Sequence, residues 1–143
     1  MRIWRVCRRP FADLTGEGAR LYGGRWNSPG RPMLYAAESA ALAVLEVRVH
    51  LDLDWRVLPD DYVLMAIETG DVEAQTLAET PADPRAAGDA WLASGRSALL
   101  RAPSFIVPES ANVLVSPAHP DAARLAVASV RPFAFDARLW PSP

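Results

Sequence analysis

The sequence predicts an α+β domain. Three observations carry that reading. Segments with helical apolar spacing and segments with strand-like alternation follow one another irregularly, the strand-like ones are short and bounded by proline or polar residues, and no regular strand–helix–strand repeat of the kind a parallel sheet needs is present. At 143 residues, 50% hydrophobic and 22% charged, the chain can bury a core as one domain, residues 1–143, without disulfides or a structural metal.

Residues 1–6 alternate as a short strand. Residues 9–30 are rich in Gly, Arg and Pro, lack steady periodicity and predict a long loop, a kind of segment that often binds ligands when ordered. A strand is expected over 33–37, then Ser39 as the N-cap of a helix running to about residue 51. In that helix Leu42, Leu45, Glu46 and Val49 fall at i, i+3, i+4 and i+7, the spacing of one buried face. Residues 62–69 predict a strand, 80–84 a loop, and 86–93 a short helix stopped by Gly95. Strands are expected at 98–101, 105–107 and 112–115, a helix near 121–128 and a last strand near 133–135.

The net charge of −2 gives no uniform positive field, so direct nucleic-acid binding is not expected. All 15 basic residues are Arg, a side chain that grips phosphate or carboxylate through two parallel hydrogen bonds. Cys7 is the lone cysteine, which excludes an intrachain disulfide. Arg2, Arg5, Arg8 and Arg9 open the chain without a following apolar run, and no stretch is long enough to cross a bilayer, so a cytoplasmic protein with no membrane contact is expected.

The densest cluster of special residues is Gly23-Gly24-Arg25-Trp26-Asn27-Ser28. Two glycines ahead of an Arg and an indole can bring Arg25 close to a phosphate; equally, the segment can be a turn with Trp26 plugging the core. Its glycines lack the spacing of a dinucleotide-binding fingerprint. Glu46 flanks an apolar stripe, where a carboxylate must be paired, protonated or functional, and His50 one turn on is a possible structural partner. Ser104, between Pro103 and Pro108, can orient a ligand or a neighbouring side chain, or serve as a turn residue; no nucleophile elbow surrounds it. Tyr35 suits the core or stacking on a ring. His50 and His119 have no ligand-spaced partners, so no metal site is expected.

In order along the chain, these segments resemble the RES-domain family, named for its Arg, Glu and Ser. Arg25 stands in Gly-Gly-Arg-Trp-Asn-Ser-Pro-Gly, Glu46 follows Leu34-Tyr35-Ala36-Ala37-Glu38-Ser39-Ala40-Ala41-Leu42-Ala43-Val44-Leu45, and Ser104 opens Ser-Phe-Ile-Val-Pro-Glu. Gly88-Asp89-Ala90-Trp91-Leu92 and Pro117-Ala118-His119-Pro120 extend the likeness over nearly the whole chain. Ser116 departs from the Asn common in the family, whereas Asn112 is retained.

The resemblance implies an ADP-ribosyltransferase-like fold, with short strands in two packed sheets, a few helices and an NAD cleft between the sheets. It implies Arg25, Glu46, Ser104 and Tyr35 as catalytic residues and Arg25, Trp26, Asn27, Tyr35, His50 and Ser104 as NAD-binding, with NAD as substrate. The implied function is that of a toxin of a type II toxin–antitoxin system that breaks the nicotinamide–ribose bond by hydrolysis or phosphorolysis. The alternative is transfer of ADP-ribose to a nucleotide-metabolism enzyme such as phosphoribosyl pyrophosphate synthetase. The implied partner is an Xre-type helix-turn-helix antitoxin that occludes the site and makes any DNA contact itself. A non-enzymatic binding module, docking through its Arg- and Trp-containing loop, is the third reading.

Overall fold

The computed structural model describes residues 1–142. Its strands are β1 (Arg2–Arg8), β2 (Leu34–Ala37), β3 (Tyr62–Glu68), β4 (Ala74–Thr76), β5 (Leu99–Pro103), β6 (Ala111–Val115) and β7 (Ala126–Pro132). Its α-helices are α1 (Glu17–Tyr22), α2 (Ala40–His50) and α3 (Pro84–Ser94). The α+β class holds: the strands form one seven-stranded sheet in the order β4-β5-β6-β2-β1-β3-β7, antiparallel except between β4 and β5.

That single sheet corrects the expectation of two packed sheets, and the way it is joined explains the difference. Every residue of β1 pairs with β3, but β1 meets β2 at one position only, Trp4 opposite Ala37. Beyond that point the two strands splay. The Arg5 guanidinium spans the opening, its Nη1 donating to the Tyr35 carbonyl at 3.1 Å. The sheet therefore has two well-paired halves hinged at its centre, and the chain between β1 and β2 closes the open end of the crack.

Side-chain alternation sends successive residues to opposite faces. One face buries Ile3, Leu34, Val63, Met65, Leu99 and Val113, covered by Phe11, Leu14, Val72 and Leu125. The other face carries two separate patches. Val6, Tyr62 and Leu64 pack under Leu42 and Ala43 of α2, while Leu100, Ala102 and Leu114 pack with Trp26 and Trp91 of α3. The crack lies between them.

Local chemistry accounts for the well-read elements. The Ser39 side chain accepts from Leu42 N at 3.1 Å and starts α2, and the Asp83 side chain does the same for Ala86 and α3. Five expectations need correction. The stretch 105–107 is a loop, because the Ser104 hydroxyl takes the Ile106 and Val107 amides that a strand would spend on a neighbour. The helix expected near 121–128 is a 3-10 turn (Pro120–Arg124) followed by β7, and the last strand is 126–132 rather than 133–135. There, pairing with β3 overrides the helical preference of an Ala- and Arg-rich run. The 9–30 loop contains a 3-10 turn and α1. Finally, Val49 is 52% exposed, so the buried face of α2 is its Leu42 and Ala43 side. Among the described residues no helix is long and apolar enough to cross a membrane.

Candidate active site

The crack between β1 and β2 opens into a cavity of about 470 Å³, lined by β1, β2 and β6, by the Ala43, Glu46, Val47 and His50 side of α2, and by the 22–26 loop. A cavity of this size is ordinary for a small-molecule site, roughly 300–1,000 Å³.

Glu46 enters this cavity from α2 and is fixed there by two donors. The Ser104 hydroxyl gives its proton to Oε1 at 2.7 Å, and Asn112 Nδ2 donates to the same oxygen at 2.8 Å. Among the described residues no group donates to Oε2, which leaves that oxygen for a ligand. Ser104 is fully buried and its Oγ also accepts from Ile106 N and Val107 N, each at 3.1 Å. Its hydroxyl is engaged as donor and acceptor, it holds Glu46, and it is not among the residues lining the cavity. Asn112 does line the cavity and was visible in the sequence only as a retained motif residue.

Arg25 lines the same cavity, exposed, with its guanidinium 4.3 Å from the centre of the Phe105 ring. That cation–π contact orients it, and among the described residues it has no carboxylate partner, so its donors are free for an anion. Phe105 follows Ser104 directly, so one short loop positions both the cation and the carboxylate.

The loop bearing Arg25 is moulded on α3. Ser28 donates through N and Oγ to the Asp89 carboxylate at 2.8 and 2.6 Å, and Arg85 donates to the Gly24 carbonyl at 3.2 Å. Tyr35 braces it from below: its hydroxyl donates to Asn27 Oδ1 at 2.6 Å and accepts from Trp26 N at 3.0 Å. A Cβ on Gly24 would lie 2.5 Å from the Tyr35 hydroxyl, so that approach requires glycine. Asn27 is buried, spends Nδ2 on the Ala19, Ser28 and Arg31 carbonyls and is not among the residues lining the cavity. Trp26 is 2% exposed and packs into the core while edging the cavity. His50 also lines the cavity, but its Nδ1 donates to the Glu46 backbone carbonyl at 2.7 Å rather than to the carboxylate.

Burial pushes the Tyr35 phenol up to about 12. A phenol raised above its unfolded value of about 10 contributes stability that is present below that pH and is lost as pH rises toward about 12. Thermal melts across this range are expected to show a decline that is absent in Tyr35→Phe; parallel pH profiles for the two proteins refute the assignment.

Comparison with known proteins places this geometry. A sequence model of the RES domain matches residues 2–136. The chain belongs to the RES domain family. A relative from Sphingobium sp. named Prs ADP-ribosylating toxin is 43% identical over 141 residues, 89% of this chain and 86% of that protein. Toxin Res of Pseudomonas putida is 39% identical over 148 residues, covering 98% of this chain and all of that one (100%). Among solved structures, the M. tuberculosis MbcT–MbcA toxin–antitoxin complex contains a chain matching with a TM-score of 0.74 at 21% identity, over 93% of this chain and 84% of that chain. This last likeness shows that the RES domain described here shares that fold. Among the described residues no group of three or more His, Cys, Asp or Glu is arranged to hold a metal ion.

Proposed function

We propose that this RES domain is a cytoplasmic toxin that breaks the nicotinamide–ribose bond of NAD. The observation that carries the reading is the Glu46 carboxylate, pinned on one oxygen by Ser104 and Asn112, in one cavity with the Arg25 cation, which has no carboxylate partner among the described residues.

The chemistry follows from those two charges. The bond between the ribose anomeric carbon and the pyridinium nitrogen breaks with its electron pair going to nitrogen, so nicotinamide leaves neutral and needs no general acid. Positive charge grows on the sugar, as in other glycosyl cleavages through an oxocarbenium-like state. Glu46, accepting a ribose hydroxyl on Oε2, binds that state more tightly than the ground state. Arg25 holds the pyrophosphate as a bidentate cation, and Tyr35 shapes the wall beside the nicotinamide. Water then adds its oxygen to the anomeric carbon and loses a proton to solvent, giving ADP-ribose; phosphate in its place gives the phosphate ester.

The name and extent of the Sphingobium relative support a second reading, in which a protein side chain is the acceptor. The test is to incubate the purified domain with NAD, with and without phosphate and cell extract, and to weigh the ADP-ribose product. Nicotinamide release with free ADP-ribose, its phosphate ester or a labelled protein names the acceptor. No release in any arm refutes the proposal and leaves the binding-module reading. Arg25→Ala is expected to raise KM for NAD by about tenfold or more, the loss of one charge-assisted bidentate contact. An unchanged KM removes Arg25 from the NAD site.

The M. tuberculosis structural neighbour is part of a toxin–antitoxin complex, which supports an antitoxin partner. We propose that this partner is a helix-turn-helix protein of the Xre type that covers the cleft. Co-expression with a neighbouring gene of that class is expected to restore growth and to yield a complex on purification; failure of both refutes that partner.

A further inference from the structure

We propose that Glu38 and Arg101, outside the cleft, form a clamp that sets where the Glu46 carboxylate stands, which makes Glu38 a positioning residue for the reaction. The inference rests on the reading of Glu46 as the catalytic carboxylate.

Strand β2 ends at Ala37 and the chain turns at Ser39 into α2, so its pairing with β6 should stop there. It continues by one rung made partly from a side chain. Glu38 N donates to the Ala111 carbonyl at 3.1 Å, and the Glu38 carboxylate takes the Ala111 N–H on Oε1 at 2.9 Å. Oε2 accepts from Arg101 Nη2 at 2.7 Å. Arg101 stands on β5, so a single carboxylate joins the entry to the helix that carries Glu46 to both strands whose ends supply its donors.

Ala111 is the point where these supports meet. Asn112 follows it and donates to Glu46, while Ser110 precedes it and its carbonyl accepts from Ser104 N at 2.8 Å. Releasing Ala111 from Glu38 therefore loosens both groups that grip Glu46 Oε1. The Arg101 and Glu38 side chains are 38% and 30% exposed, and ion pairs so open to water add little stability. Placement of the donors is where the clamp acts, since misplacing a reacting group by about 1 Å can cost about 10²-fold in rate.

The test measures NAD turnover together with the side-chain amide resonance of Asn112, which reports its bond to Glu46 without requiring activity. Glu38→Ala is expected to lower kcat about tenfold with KM within about twofold, and to move the Asn112 amide signal, whereas Glu38→Gln, which keeps an acceptor for Ala111 N, recovers most of the rate. Combining Glu38→Ala with Asn112→Ala is expected to cost clearly less than the product of the two single losses, because both act through one hydrogen bond. If Glu38→Ala does not fold, Glu38→Asp, which withdraws the carboxylate but keeps its charge, is read by the same two measures. Parental kcat with an unmoved Asn112 resonance in whichever variant folds overturns the clamp. A parental protein that leaves NAD intact overturns the proposed function instead, and the Asn112 resonance still decides the clamp.

Discussion

Glu46→Gln is expected to lower NAD turnover by about 10²–10³-fold while leaving the fold and the affinity for NAD close to parental, the range found when one group facing developing charge is removed. The substitution is chosen for what it keeps. The amide oxygen still accepts from Ser104 and Asn112, so neither donor is stranded, and the change is confined to the loss of negative charge on the side facing the substrate. A loss in kcat with unchanged KM is the mark of an interaction made in the transition state alone. Ser104→Ala is a poorer probe, because it also strips the acceptor from the Ile106 and Val107 amides and mixes a stability cost into the kinetics. Single-turnover measurement of nicotinamide release with purified Glu46→Gln checks the expectation. Release at the parental rate by a folded variant removes Glu46 from the mechanism.

What the sequence made legible divides along the range of the interactions involved. The start of α2 could be read because Ser39 caps an amide three residues away, and α3 could be read because Gly95 marks its end, whereas its Asp83 cap falls in a stretch that reads as loop. The central crack could not, since it depends on β1 and β2 sharing one paired position, and nothing local to either strand encodes where pairing stops. The edge strand β7 was hidden for the same reason: its register with β3 is a contact between distant segments that outweighs a local helical preference. At the site, Arg25 and Glu46 were marked by residue type and context. The grip on Glu46 was not, because Ser104 and Asn112 lie 58 and 66 residues away. Phe105, which orients Arg25, resembled part of an apolar strand until the loop conformation was known. The one distant support with a sequence signature is Gly88, because a glycine inside a helix costs about 1 kcal/mol against Ala and implies a compensating close approach.

That close approach makes Gly88→Ala the substitution expected to destabilise the domain most. Helix α3 lies so near the Arg25 loop that an added Cβ on Gly88 would sit 1.7 Å from the Trp26 carbonyl oxygen and 2.7 Å from its carbonyl carbon. Both are backbone atoms, so no side-chain rotation relieves the clash. Either α3 or the loop must withdraw, and withdrawal breaks the Ser28 to Asp89 and Arg85 to Gly24 hydrogen bonds and opens the packing of Trp26 on Trp91. Overpacking alone costs about 1–3 kcal/mol, and the lost hydrogen bonds raise the expected total to about 3 kcal/mol or more, far outweighing the helix propensity gained by Ala. Urea unfolding of parent and variant measures the difference directly. Because the loop carries Arg25, any Gly88→Ala protein that remains folded is expected to lose affinity for NAD in step with its stability. A variant as stable as the parent shows that α3 and the loop do not pack as closely as these distances require.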